Sequence, residues 1–121
     1  MRFRHLVQYI GCMRDILHRV VELPCPVEEA WEHVLDPSWL GDDGDVDARE
    51  GGEGWVREGD ETKYVLVEEV IEDERYVYRW ASFIDEPSRV EIELSPTSEG
   101  TRVEIIESPL PSSMRASLAL R

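Results

Sequence analysis

The sequence has 121 residues, of which 41% are hydrophobic and 33% charged, and its formal net charge is −14. This length and composition fit one soluble domain with a hydrophobic core, and no apolar run approaches the ~20 residues of a transmembrane helix. The negative charge argues against nucleic acid and anionic membranes as partners, since both are bound through clustered lysine and arginine. The N-terminus does not have the pattern of a signal peptide, so the cytoplasm is the expected compartment.

Near the N-terminus the apolar residues are spaced as on one face of a helix. Gly11 would end that helix, whose one-sided apolar face consists of Phe3, Leu6, Val7 and Ile10. We treat residues 1–13 as an N-terminal extension and residues 14–121 as the domain.

The domain opens with a predicted strand, Ile16 to Leu23, which is rich in β-branched and aliphatic residues. Pro26 to Leu35 is predicted to be a helix, because a proline suits its first turn and its apolar residues fall on one face. A second, very short helix is predicted at Pro37 to Leu40, with Asp36 as its N-cap.

The rest of the chain is predicted to be mainly strands joined by short turns. Residues 41–54 are acidic and loop-rich and hold at most one short strand, around Val46 to Glu50. Further predicted strands are Trp55–Glu58, Lys63–Ile71, Arg75–Phe83, Arg89–Ser95 and Thr101–Glu107. Polar turns are predicted at Gly59-Asp60, Glu72 to Glu74, Asp85 to Pro87 and Pro96 to Gly100, and a short C-terminal helix at 112–121.

Alternation within these strands gives the sheet two unlike faces. In the strand from Arg75, the residues Tyr76, Tyr78 and Trp80 alternate with charged or aliphatic ones. One face is therefore aromatic and aliphatic and must be covered, whereas the other is charged. The predicted fold class is α+β, an antiparallel sheet of about six to seven strands wrapped on helices, with a shortened C-terminal helix.

Several short motifs, in this order, resemble the START-like (SRPBCC, Bet v 1-like) helix-grip superfamily. Val21 to Val34 resembles its opening, a strand followed by Pro26-x-x-x-Ala30-Trp31. Later segments with a similar likeness are Gly51-Gly52, Val67 to Val70 with Tyr78-Arg79-Trp80, and Val90 to Leu94 with Gly100-Thr101. Within the superfamily, the subgroup most similar is that of the heat-shock-protein-90 ATPase activator homologues.

This resemblance implies a non-enzymatic binding module that holds a small hydrophobic ligand or a client protein in an apolar groove. Two alternatives remain. One is an enzyme of the polyketide cyclase or hydrolase type, which would need a buried acid or base such as His18 or Glu68. The other is a co-chaperone-like homodimer whose open groove is its own interface.

The candidate ligand-binding residues are aromatic side chains, which combine large apolar area with polar handles, together with one histidine. They are Trp31, Trp55, Tyr76, Tyr78, Trp80 and His18. No catalytic residue, metal site or cofactor is predicted. Asp42 to Asp47 does not match a calcium loop, because no register places both the ligands and the glycine correctly. Cys12 and Cys25 are too few for a metal framework and are expected to be reduced.

Overall fold

The structure is a computed structural model that describes residues 7–13, 16–82 and 87–110, the first of these ranges through its backbone only. These residues form one antiparallel sheet of eight strands, one α-helix and one 3-10 helix. In chain order the elements are β1 Val7–Met13, β2 Ile16–Leu23, α1 Val27–Leu35, the 3-10 helix Pro37–Trp39, β3 Asp43–Val46, β4 Glu53–Glu58, β5 Glu61–Ile71, β6 Arg75–Ala81, β7 Ser88–Pro96 and β8 Thr101–Pro109.

The strand order across the sheet is β1-β2-β8-β7-β6-β5-β4-β3. From β3 to β8 each strand pairs with the next one along the chain, as in a meander. The strand β2 instead crosses to pair with β8, in a register that runs from Leu17 opposite Glu107 to Leu23 opposite Thr101. Side chains from the beginning and the end of the domain therefore share the same face of the sheet.

The helix α1 begins after Pro26 and carries Glu28 and Glu29 in its first turn, where their negative charge suits the helix dipole. Its buried face consists of Ala30, Trp31 and Val34. Asp36 follows the helix and caps the next one, because its carboxylate accepts a hydrogen bond from the backbone N–H of Ser38 at 2.9 Å. The two predicted helices at residues 26–35 and 37–40 are thus confirmed.

The buried face of α1 packs on one face of the sheet, which we call the inner face, and the opposite face is the outer face. The core between α1 and the inner face is mostly valine and aromatic; its sheet residues include Val21, Val56, Val65, Val67, Tyr76, Tyr78, Val90, Ile92 and Val103. This architecture confirms the α+β helix-grip class. No helix in the described ranges is long and apolar enough to cross a membrane.

The helix predicted within residues 1–13 is wrong for residues 7–13. That segment is β1, which pairs with β2 from Val7 opposite Val21 to Met13 opposite Ile16. Pairing with residues 16–21 of β2 stabilises the extended backbone, and this tertiary pairing outweighs the helical spacing of a few apolar residues. With β1 included, the sheet has eight strands rather than six to seven. Phe3 and Leu6 lie outside the described residues.

The short strand predicted around Val46 to Glu50 lies earlier, at β3, whose residues Asp43 to Val46 pair with β4. Residues 47–52 instead fold into a turn, in which the N–H of Arg49 donates to the carbonyl of Asp47 and that of Gly52 to the carbonyl of Arg49. Gly51 adopts φ = 80°, a left-handed conformation that glycine accommodates without strain. The other predicted strands agree with β2 and β4 to β8 within a few residues. The turn at 85–87 falls mostly, and the helix at 112–121 entirely, outside the described residues.

Candidate functional site

Four of the six candidate residues form a continuous aromatic row on the inner face. The helix α1 contributes Trp31, whose ring centroid lies 6.3 Å from that of Tyr76 in an edge-on arrangement. Tyr76 lies 5.3 Å from Tyr78, and Tyr78 lies 5.5 Å from Trp80, again edge-on. The alternation of β6 places these three side chains on the same face.

The members of this row differ in exposure. Trp31, Tyr76 and Tyr78 are 6%, 3% and 1% exposed, so they fill the core, whereas Trp80 is half-buried. An incoming molecule would therefore meet the row first at Trp80.

Polar groups surround Trp80 at this end of the inner face. Its indole N–H donates hydrogen bonds to the hydroxyl of Ser88 and to Oε2 of Glu107, both at 3.0 Å. The Ser88 hydroxyl donates to the same Glu107 oxygen at 2.7 Å. The ammonium of Lys63 lies 4.2 Å from the centre of the Trp80 ring, within the range of a cation–π contact. The aromatic row thus ends at Trp80 beside the hydroxyl of Ser88, the carboxylate of Glu107 and the ammonium group of Lys63.

A small cavity of about 20 Å³ lies beside Trp80. A space of this size holds about one water molecule. Its lining combines apolar and charged side chains: Leu40, Val56, Glu58, Glu61, Lys63 and Trp80.

The two tyrosines of the row present neutral phenols. Burial raises the pKa of Tyr76 to about 12. For Tyr78, burial raises the pKa well above its usual range, and the nearby Tyr76 and the charge of Glu107 add to that effect. Within residues 16–82 and 87–110 neither hydroxyl makes a hydrogen bond. Buried polar groups normally have a partner, so these two hydroxyls are unusual.

The remaining two candidates lie on the outer face. Trp55 follows Gly54 and precedes the core residue Val56, so it points away from α1, and it lies opposite the exposed Tyr64. The imidazole of His18 lies 2.5 Å from the carboxylate of Glu104. The structure therefore does not bring Trp55 or His18 to the aromatic row.

The outer face also holds a network of ion pairs, which the sequence analysis did not predict. Glu68 accepts from Arg79 at 2.7 Å and from Arg89 at 3.1 Å. Arg75 bridges further glutamates, donating to Glu69 at 2.7 Å, to Glu91 at 2.8 Å and to Glu93. Partial burial acts to raise the pKa of Glu68, but the hydrogen bonds from Arg89 and Arg79 outweigh it and lower that pKa. Glu68 is therefore held ionised and paired.

The sequence analysis missed three residues of the site: Lys63, Ser88 and Glu107. In β8 the alternation that places the core residues Val103 and Ile105 on the inner face extends to Glu107, and in β7 Ser88 stands two residues before the core residue Val90. The signal was therefore present for both. For Glu107 it was overlooked because a charged residue at a strand end is usually solvated.

Metal binding has no support in the described ranges, where no three His, Cys, Asp or Glu side chains converge. The acidic segment after the 3-10 helix is engaged in local bonds instead. Asp42 accepts from the N–H of Gly59 at 2.8 Å, and Asp43 accepts from Arg57 at 3.3 Å.

A protein-family model described as "Activator of Hsp90 ATPase homolog 1-like protein" matches residues 24–118, well over half of the chain. No match was found among curated proteins.

Several solved structures share the fold. CalU16 from Micromonospora echinospora is 22% identical, with a TM-score of 0.65, over 85% of this chain and 66% of its own. DynU16, described as a putative protein in the dynemicin biosynthetic locus, is 27% identical, with a TM-score of 0.68, over 88% of this chain and 42% of its own. A protein from Rhodobacter sphaeroides is 13% identical, with a TM-score of 0.70, over 95% of this chain and 86% of its own. The chain thus spans just under two thirds of CalU16 and less than half of DynU16.

Proposed function

The chain belongs to the family of Activator of Hsp90 ATPase homolog 1-like proteins, and from this membership we propose that it is a non-enzymatic module that binds a small hydrophobic molecule on its inner face. The contact point is the Trp80 end of the aromatic row. The observation that carries the proposal is the continuity of that row, which leads from Trp31 in the core to the half-buried Trp80 and its polar neighbours. Apolar sites with a few convergent polar groups are typical of small-molecule binding.

Two observations favour a small molecule over a client protein and over catalysis. A protein client needs a broad exposed surface, whereas three of the four aromatic side chains are buried. The residues considered for acid–base work, His18 and Glu68, lie on the outer face in ion pairs. DynU16, which is similar in sequence as well as in fold, is described as belonging to a biosynthetic locus, and this context also favours a small molecule.

A cytoplasmic location is part of the same proposal. It is compatible with a chain of 121 residues that has two cysteines and needs no disulfide framework.

The proposal is tested by titrating the whole chain with N-phenyl-1-naphthylamine, a neutral dye whose fluorescence rises in apolar surroundings. We expect saturable binding, and we expect Trp80→Ala to weaken it by about ten-fold or more, because stacking on an aromatic side chain contributes about 0.5–1.5 kcal/mol beyond apolar burial. Trp55→Ala is the matched control, since it removes the same side chain from the outer face. We expect it to leave the dissociation constant within about two-fold.

A lack of dye binding to the unmodified chain would contradict the proposal. Equal weakening by the two substitutions would also contradict it, because a site on the inner face cannot depend on Trp55.

A further inference from the structure

Lys63 lies over the ring that the proposed ligand would contact. Its ammonium group is 4.2 Å from the centre of the Trp80 ring. The strand register brings the two residues together, because Val65 is opposite Trp80 and Lys63 comes two residues before Val65, on the same face of β5. A molecule that stacks on this side of the Trp80 ring must therefore move the ammonium group away.

The cavity beside Trp80 admits a ring only if a side chain moves. Its volume of about 20 Å³ holds about one water molecule. Among the residues that line it, Val56 belongs to the core and is 2% exposed. Lys63 is only half-buried, and its charged head sits on a flexible stem of four carbons. Displacement of Lys63 uncovers the Trp80 ring without disturbing the core.

Two carboxylates keep a displaced ammonium group close to the site. Glu58 and Glu61 line the same cavity as Lys63 and Trp80, and they lie opposite each other where β4 turns into β5. The surrounding segment 42–74 has 14 acidic residues against 3 basic ones. The ammonium group is therefore attracted to this end of the inner face whether or not it contacts the ring.

We infer that Lys63 selects the ligand: the site takes a flat, electron-rich aromatic molecule that inserts between Lys63 and Trp80. One face of that molecule stacks on the indole ring, and the other receives the ammonium group. The inference rests on the proposed function, whose ligand class it specifies.

An aromatic ligand is suited to this position because it replaces the partner that Lys63 loses. The face of an electron-rich ring carries negative charge density, which attracts an ammonium group as the Trp80 ring does. A saturated hydrocarbon of the same size would cover Trp80 but would leave the ammonium group without a ring. A ring with an electron-poor face would repel that group. The electronic character of the ligand, as well as its apolar area, therefore decides its affinity.

The test compares naphthalene and octafluoronaphthalene as competitors of the bound dye N-phenyl-1-naphthylamine on the whole chain. The two compounds are similar in shape, but fluorine makes the ring face of the second electron-poor. Each compound also contacts Trp80 directly, so the quantity of interest is the ratio of the dissociation constant of octafluoronaphthalene to that of naphthalene. We expect Lys63→Met, which retains an unbranched apolar stem without the charge, to lower this ratio by about five-fold or more.

Two further variants are the controls. Lys63→Arg retains a cation that can lie on a ring, and it should keep the ratio within about two-fold of that of the unmodified chain. Arg57 lies on the outer face, where it pairs with Asp43 at 3.3 Å. Arg57→Met therefore removes one positive charge from the same hairpin but should leave the ratio unchanged. Circular dichroism establishes that each variant is folded.

A second measurement keeps Lys63 in place. Lys63 is the only lysine in the sequence, and reductive methylation with isotope-labelled formaldehyde marks its nitrogen while retaining the charge. The signal of the amino terminus is identified by its persistence in Lys63→Arg. We expect nuclear Overhauser contacts between the labelled methyl groups and the protons of bound naphthalene, and their absence at saturation would contradict the insertion.

The possible results separate this inference from the proposed function. If the dye binds but Lys63→Met leaves the ratio unchanged, the inference fails while the proposed function stands. An equal fall of the ratio in Arg57→Met would overturn the inference too, because net charge rather than contact would be the cause. If the unmodified chain does not bind the dye at all, both fail.

Discussion

Glu68 shows how a single inserted residue shapes the outer face. The pairing of β5 with β6 shifts register between Val67 and Glu69, so Glu68 is the extra residue of a β-bulge. The bulge lets two consecutive glutamates lie on the outer face, where Glu68 meets Arg79 and Arg89 and Glu69 meets Arg75. A carboxylate held by two guanidinium groups remains ionised to lower pH than usual.

Replacing Glu68 by Gln should therefore have an effect that depends on pH. Because the folded state lowers the pKa of Glu68 below its ordinary 4.5, its contribution is fully present above that pH and is lost as the pH falls through the folded value. At pH 7 we expect Glu68→Gln to lower the free energy of unfolding by about 1–2 kcal/mol, and at pH 3.5 by clearly less. Urea unfolding at the two pH values measures this difference.

The control for that prediction is Glu72→Gln, a substitution of an exposed glutamate in the turn after β5. A penalty at Glu68 that stays constant between the two pH values would show that its ionised form is not what stabilises the sheet.

At the residue scale, part of the site could be predicted from sequence. Strict alternation in β6 placed Tyr76, Tyr78 and Trp80 together, because a paired strand has a period of two. It could not place Trp55 or His18, since aromatic and imidazole side chains occur on both faces of a half-covered sheet. Their faces depend on the register of β4 and β2 with their neighbours, which arises from long-range pairing.

At the scale of elements, the outer face of β6 is not simply a solvated surface. Val77 is completely buried there, and its register partners are Glu69 on one side and Glu91 on the other. Arg75 donates to both of these glutamates. The aliphatic stems of such charged residues can cover apolar surface while their heads remain at the solvent. The ion pairs thus form a cover over a small apolar patch.

Val77→Ala should accordingly destabilise the fold although it lies on the charged face. We expect a loss of about 2 kcal/mol in the free energy of unfolding, as for a deletion of buried methyl groups. The same substitution at the half-buried Val46 on the edge strand β3 should cost less than about 1 kcal/mol. Denaturant titrations of both variants make the comparison, and equal losses would mean that the network does not bury Val77.

Sequence patterns predict some of the elements and fail for others. The strands β2 and β4 to β8 and the helix α1 were predictable because periodicity and turn residues agree there. The strand β1 was not, because its apolar residues are spaced as in a helix and only β2 supplies the backbone partners that make it extended. The bulge in β5 was not predicted either. The spacing of its core-facing residues Val65, Val67 and Val70 indicates it, because the last interval is three residues rather than two.

At the scale of the whole molecule, the fold separates two environments. The chain carries a net charge of −14, and the segment 42–74 alone has 14 acidic residues against 3 basic ones. Yet the inner face is mostly apolar and aromatic, and several of its charges, among them those of Lys63 and Glu107, lie at the Trp80 end. This net charge disfavours an anionic ligand, because a strongly acidic molecule repels anions at long range.

The most direct test of a ligand site on the inner face is a nuclear magnetic resonance titration that observes the indole N–H groups of the four tryptophans while N-phenyl-1-naphthylamine is added to the unmodified chain. The indole N–H of Trp80 lies in the proposed site and that of Trp55 on the opposite face, and single substitutions assign the two signals. We predict that the Trp80 signal moves progressively with dye concentration while the Trp55 signal stays fixed. Movement of Trp55 with no change at Trp80 would contradict the assignment of the site to the inner face.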